Sequence, residues 1–234
     1  MRARLLGLAV VAITSCAANG AKESGEPQPD VDDAAIASAV DIRAIGCKVE
    51  AVRGAGAVID GGFVLTAAHV VAGAKSISIR PATPNGARSI TVHVAAIDAA
   101  ADLALLSGPG ERLPSLSLGR ASARDRGVAI VFRDSVAIAL PFTITRPVTV
   151  RIFDIYHAKT ISRDGYQVEI EIEPGDSGAI LVGPKATADG VLYAKSQDTE
   201  NRAWATSTSV VASLIDRAKQ ANPDVGIDPG PCAH

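Results

Sequence analysis

The sequence predicts an all-β protein, a barrel or a sandwich, closed by one C-terminal helix. Short β-branched runs recur along the chain: "AGAVIDGGFVLTAAHVV", "SISIRPA", "ITVHVAAID", "DLALL", "VAIVF", "VTVRIF" and "YQVEIEIE". Gly, Pro, Asn and Asp separate them at intervals of about ten residues, the spacing of paired strands and not of alternating strands and helices. Strong helical periodicity occurs once, in "TSVVASLIDRAKQA" (208–221). There Val211, Leu214, Ile215 and Ala218 share a face, and Pro223 stops the helix.

The 234 residues are 47% hydrophobic and 21% charged, enough for a real core in one domain or two small ones. A net charge of −2 gives no basic footprint for nucleic acid. One Met, one Trp and 3% aromatics leave Val, Ile, Leu and Ala to fill the interior.

Before the strands, "MRARLLGLAVVAITSC" sets Arg2 and Arg4 ahead of an apolar run from Leu5 to Ile13. That is the pattern of a secretory signal, too short to span a bilayer stably. Two readings of its end stand. Ile13-Thr14-Ser15-Cys16 resembles a bacterial lipobox, so that Cys16 becomes lipid-modified and tethers the domain to a membrane. Alternatively, cleavage after Ala17 or Ala18 releases a secreted domain. Both export the protein. The organisation expected is a signal over 1–15, a flexible tether over 16–40 and a folded domain over 41–222, with a tail over 223–234. The Ala-rich second half of the tether suits a short helix at the domain's edge.

Export permits oxidation, and Cys47 and Cys232 lie near opposite ends of the mature domain. A bridge between them would close a loop of 185 residues. In the chain-entropy model it stabilises by roughly 4–5 kcal/mol, and it pins the tail "GIDPGPCAH" to the start of the domain. Two free buried thiols are the alternative. No CxxC or His–Cys cluster occurs, so no metal site is expected.

The candidate chemistry centres on Gly175-Asp176-Ser177-Gly178. A Ser hydroxyl is a weak nucleophile until a base takes its proton, and the resulting oxyanion needs backbone N–H donors. The glycines let the N–H groups of Gly175 and Ser177 point into one cavity. Upstream, "FVLTAAHVVAG" places His69 at the end of an apolar strand; His93, His157 and His234 have no comparable setting. In "DAAADLALL", Asp102 stands directly before an apolar run that would draw it inward, where a carboxylate needs hydrogen bonds. Pairing with His69 supplies them and fixes the tautomer offered to Ser177. Asp98 competes for that role but has no apolar run immediately after it. The order His69, Asp102, Ser177 excludes the α/β-hydrolase elbow, which runs Ser, acid, His.

These segments closely resemble the chymotrypsin-like (trypsin-fold) serine proteases, particularly the short exported bacterial kind. "GAGAVIDGGFVLTAAHVV", "ADLALL" and "PGDSGAILV" match the family's His, Asp and Ser segments. "GVLYAKS" with "RAWATSTSVVASLI" matches its final strand pair and helix. The resemblance implies two perpendicular six-stranded antiparallel β-barrels, with the triad in the cleft between them and a C-terminal α-helix. It also implies hydrolysis of protein or peptide substrates through an acyl-enzyme, without a cofactor.

There are departures. Ala179-Ile180 follows GDSG in place of Gly-Pro. No Ile-Val-Gly-Gly equivalent stands at the expected distance before His69, so Asp176 is expected to find a fixed internal partner, and no activation cleavage is predicted. No PDZ-like extension is expected after the domain. The position six before the nucleophile, the base of the primary pocket in trypsin-like members, is Glu171, implying a preference for Arg or Lys. Two features oppose this. Glu169, Glu171 and Glu173 alternate with Ile170 and Ile172 as a solvent-facing strand edge would, and Lys195, expected on the facing wall, could neutralise Glu171. Two alternatives to a protease remain: an inactive homologue serving as a membrane-tethered binding module, and an esterase on the same fold.

Overall fold

The computed structural model describes residues 29–82, 88–107, 113–222 and 224–233, with side chains from residue 33 onward. The signal segment, Cys16, most of the tether, Pro223 and His234 lie outside the described residues.

Six strands, β1 (Ala39–Ile45), β2 (Val52–Ile59), β3 (Phe63–Ala67), β4 (Ser76–Pro81), β5 (Ile90–Asp98) and β6 (Leu103–Ser107), close into an antiparallel barrel in the order β1-β2-β3-β6-β5-β4. Branched residues such as Ile42, Leu65 and Ile79 fill it. Every residue of β6 is buried, because one face lines the barrel and the helix α3 (Val211–Ala218) packs against β5 and β6. Val211, Leu214 and Ala218 of α3 are buried and Ile215 half-buried, the face its periodicity predicted. A 3-10 turn at Thr208–Val210 leads into it. The first barrel begins at Ala39, two residues inside the stretch read as tether, and α1 (Pro29–Ser38) precedes it.

The second sheet contains β7 (Ser117–Leu118), β8 (Arg126–Arg133), β9 (Val136–Phe153), β10 (Thr160–Glu169), β11 (Ile180–Val182), β12 (Thr187–Lys195) and β13 (Arg202–Ser207). Its order is β11-β8-β9-β10-β13-β12-β7, and β11 also pairs with β12. The sheet therefore has one strand more than the six expected. The extra strand, β7, belongs to the connection between the two sheets and is stitched to both. Leu116 N–H donates to the Val58 carbonyl at 2.9 Å and Gly119 N–H to that of Ala188 at 2.9 Å.

β9 runs for 18 residues through two prolines, where short separate strands were expected. Pro141 lies in the half that pairs with β8, opposite Val128, and Pro147 in the half that pairs with β10, opposite Tyr166. Each proline has a neighbour on one side only, so its missing N–H removes no ladder bond.

Cys47 and Cys232 are disulfide-bonded, with Cα atoms 5.6 Å apart. The tail is held further by Gly73 N–H on the Pro229 carbonyl at 3.3 Å and Ile227 N–H on that of Val94 at 2.7 Å.

Candidate active site

His69 stands in α2 (Ala68–Val71), a single turn at the end of β3. Ala67, before it, gives no side-chain cap to the first N–H groups of that turn. Asp102, just ahead of β6, supplies the missing acceptors. Its backbone carbonyl takes Ala68 N–H at 3.1 Å, and its Oδ1 takes His69 N–H at 2.9 Å. The carboxylate also accepts from His69 Nδ1, at 2.8 Å to Oδ2 and 3.1 Å to Oδ1. A carboxylate accepts only, so Nδ1 carries the proton and Nε2 presents its lone pair.

Asp102 is 3% exposed and has a φ of 56°, a left-handed conformation that Asp tolerates better than most residues. The competing Asp98 has another task. Its Oδ1 accepts Ala100 N–H at 3.1 Å and Ala101 N–H at 2.9 Å, shaping the turn that delivers Asp102.

Ser177 is half-buried in the loop between β10 and β11. Its carbonyl accepts from Ala55 N–H on β2 at 2.9 Å. Close by, Gly54 lets β2 approach, since a Cβ there would sit 2.6 Å from Val70 Cγ1 and 3.0 Å from the Ser177 carbonyl oxygen. The loop thus docks on β2 beside Val70, the residue after His69. Gly178, at φ +89°, lies so close to the Ala55 carbonyl and the Thr66 hydroxyl that no side chain fits. Among the described residues no hydrogen bond joins Ser177 Oγ to His69. In a substrate-free site such bonds are commonly long.

Around Ser177 the backbone donors divide into two groups. The N–H groups of Asp176, Gly178 and Ala179 donate to the carbonyls of Glu173, Leu192 and Asp176. Those of Gly175 and Ser177 donate to no protein acceptor among the described residues. The Asp176 side chain is fully buried and meets Arg133 in a two-pronged ion pair, with Nη2 2.7 Å from Oδ2. Glu173 N–H donates to the same oxygen at 2.8 Å, and Arg133 Nε lies 3.1 Å from the Glu173 carboxylate. Arg133 is the internal partner expected for Asp176. Nothing local in "VFRDS" announces it.

Glu169, Glu171 and Glu173 are exposed while Ile170 and Ile172 are buried, the alternation read from the sequence. Lys195, at the end of β12, is also exposed, and no ion pair joins it to Glu171 among the described residues. His93 lies in β5, and His157 meets the Phe153 ring at 5.5 Å in the β9–β10 hairpin. A cleft of about 450 Å³ contains His69 and Asp102, with Phe153, Arg163 and Tyr193 from the second sheet on its other wall. Sequence reasoning singled out none of these three.

The comparisons agree with this fold. A probable periplasmic serine endoprotease, DegP-like, from Hahella chejuensis is 28% identical over 165 residues, which are 68% of this chain and 33% of that protein. The serine protease Rv3671c of Mycobacterium tuberculosis is 26% identical over 191 residues, 80% of this chain and 47% of that protein. The chain therefore spans between about a third and about half the length of these relatives. The crystal structure of the active form of the M. tuberculosis Rv3671c protease superimposes with a TM-score of 0.78 at 24% identity, covering 99% of this chain and 100% of that one. An inactive form of the Rv3671c protease gives 0.67 at 25% identity, over 81% and 92%. The family model described as the trypsin-like peptidase domain matches residues 54–194, from the glycine that admits Ser177's loop to the last residue but one of β12. That match takes in more than half of the sequence, and the chain belongs to the trypsin-like peptidase family.

Proposed function

We propose that the protein is an exported serine endopeptidase that cleaves peptide bonds through His69, Asp102 and Ser177. The observation that carries this is the grip of buried Asp102 on both the backbone N–H and Nδ1 of His69. It leaves Nε2 as the one ring nitrogen able to take a proton from Ser177. Ser177 Oγ attacks the scissile carbonyl carbon as its proton passes to Nε2. The oxyanion is met by the N–H groups of Gly175 and Ser177, whose lack of protein acceptors supports that role. His69 returns the proton to the leaving amine, and an acyl-enzyme remains. Water, deprotonated by His69, then releases the acid and restores Ser177.

The Arg133–Asp176 pair supports a loop held ready without a new N-terminus, so the chain needs no activation cleavage. No cofactor enters these steps. The signal sequence, and the word periplasmic in the relative's name, support export, with Cys16 as the proposed lipid anchor. Glu171 and Lys195 are proposed to bias the primary pocket, a bias that a peptide library reads.

The test is labelling of the purified mature domain with a fluorophosphonate, wild type beside Ser177→Ala, with peptide turnover measured in parallel. Labelling and turnover that vanish together in the variant are expected. A folded wild type that takes no label overturns the reading in favour of a non-catalytic barrel. Label with turnover of esters alone makes it an esterase.

A further inference from the structure

Arg163 is an arginine with 4% of its side chain exposed, carried by β10 of the second sheet. A guanidinium taken this far out of water needs partners for its charge and its donors. Three are present. Nε donates to the Ala100 carbonyl at 2.8 Å. Nη1 lies 3.7 Å from Asp102 Oδ2, a charge contact longer than a hydrogen bond. The guanidinium carbon stands 4.7 Å from the centre of the Tyr193 ring, within cation–π range. Burial, the largest influence on the Tyr193 phenol, pushes its pKa up. No other Lys or Arg comes within 4.0 Å of Asp102 among the described residues.

Arg163 does not act alone on this loop. Ile155 N–H donates to the Ala99 carbonyl at 3.3 Å, and the Thr206 hydroxyl to the Ala101 carbonyl at 2.9 Å. Three consecutive carbonyls before Asp102 are thus bound from two strands of the second sheet and from the β9–β10 hairpin loop. The middle one is held by the residue that also faces the carboxylate. That continuity keeps Asp102 in its left-handed conformation and aims its oxygens at His69.

We infer that Arg163 is a positioning residue of the active site: from the second sheet it fixes the Asp102 loop of the first barrel and supplies the countercharge for the buried carboxylate. The inference rests on the proposed hydrolytic function. It gives Arg163 two separable effects, orientation through Ala100 and charge through Asp102. The other ionisable groups on the cleft wall, Lys48, Asp154 and His157, come from the β1–β2 loop and the β9–β10 hairpin. Lys48 forms no ion pair with Asp102 among the described residues.

Two variants separate the effects. Arg163→Gln is expected to lower kcat by about 10- to 100-fold, the loss typical of a small misplacement of a catalytic group, with KM changed by no more than about twofold. Its acid limb in kcat/KM moves to higher pH, because a cation opposing protonation of the imidazole is gone. Arg163→Lys keeps the charge but loses the planar fork, so the acid limb stays in place while kcat recovers only in part. Wild-type kcat and acid limb in Arg163→Gln overturn the inference. So do equal losses in both variants with an unmoved limb and a lowered Tm, which mark a purely structural arginine. NMR of the His69 Nδ1 proton, which requires no turnover, is expected to lose its hydrogen-bonded downfield position in Arg163→Gln; an unchanged resonance overturns the inference. A wild type that fails to take fluorophosphonate removes the hydrolytic reading instead, and the Nδ1 resonance still decides the role of Arg163.

Discussion

Asp176 and Asp102 are both buried, and each faces an arginine carried by the second sheet, Arg133 on β8 and Arg163 on β10. At Asp176 the guanidinium engages both carboxylate oxygens and Glu173 N–H adds a further donor, so three close donors hold the carboxylate in place. At Asp102 the guanidinium stands off at 3.7 Å and the close bonds go to His69. The same ion pair chemistry therefore serves two ends. Closed up, it locks the backbone beside Ser177. Held open, it stabilises a charge that must remain available to an imidazole.

The largest effect that breaks this comparison is at the open pair. Asp102→Asn keeps the shape and the hydrogen-bonding oxygen but offers an amide N–H where an acceptor is needed. The imidazole then turns to the wrong tautomer, and kcat of the folded protein is expected to fall by on the order of 10⁴-fold, while Arg163, left without its carboxylate, lowers Tm to a lesser degree. Steady-state kinetics beside thermal melts check this; a loss of kcat matched by a loss of folding assigns Asp102 to stability.

At the closed pair the expected damage is to stability first. Arg133→Met leaves Asp176 buried without its cation, at a cost of about 3 kcal/mol, toward the lower end for a broken buried pair because Arg133 is partly exposed. Chemical denaturation measures it. The double variant Arg133→Met with Asp176→Asn removes the stranded charge and is expected to recover most of the loss. Fluorophosphonate labelling of the double variant stays slow, because nothing then locks the loop. A double variant as unstable as the single one contradicts the account.

The split between what the sequence disclosed and what it hid follows the same pair of sites. His69, Asp102 and Ser177 each sit in a local signature, an apolar run ending at a His, a carboxylate before "LALL", a Ser between glycines. The choice of Asp102 over Asp98 was legible because burial of β6 pulls inward the residue next to it. The arginines were not legible. Arg133 lies 43 positions from Asp176 and Arg163 lies 63 from Ala100. Their meetings depend on strand pairings between distant segments, which periodicity does not encode. The run of β9 through Pro141 and Pro147 was hidden for a related reason. Proline forbids a strand only where both sides are paired, and which sides are paired is a property of the sheet.

A third buried carboxylate sharpens the comparison with the smallest effect. Asp189 in β12 is 3% exposed, with Gly119 and Gly183 crowded against its oxygens and the Thr187 hydroxyl donating at 2.7 Å. Among the described residues no ion pair joins it to an arginine. Burial, the largest influence, raises its pKa above the ordinary carboxylate value near 3.8. A raised folded-state pKa means that ionisation costs stability: the contribution is fully present below about 3.8, the unfolded value, and is lost as pH rises through the folded one. Asp189→Asn never ionises and still accepts from Thr187. It is therefore expected to melt higher than wild type at pH 7, and the advantage fades as the pH is lowered toward the unfolded carboxylate range. Paired melts at neutral and acidic pH read the difference. A variant that melts lower at pH 7 means that the ionised Asp189 is stabilised after all, and that a buried carboxylate in this fold does not need the guanidinium that Asp102 and Asp176 both have.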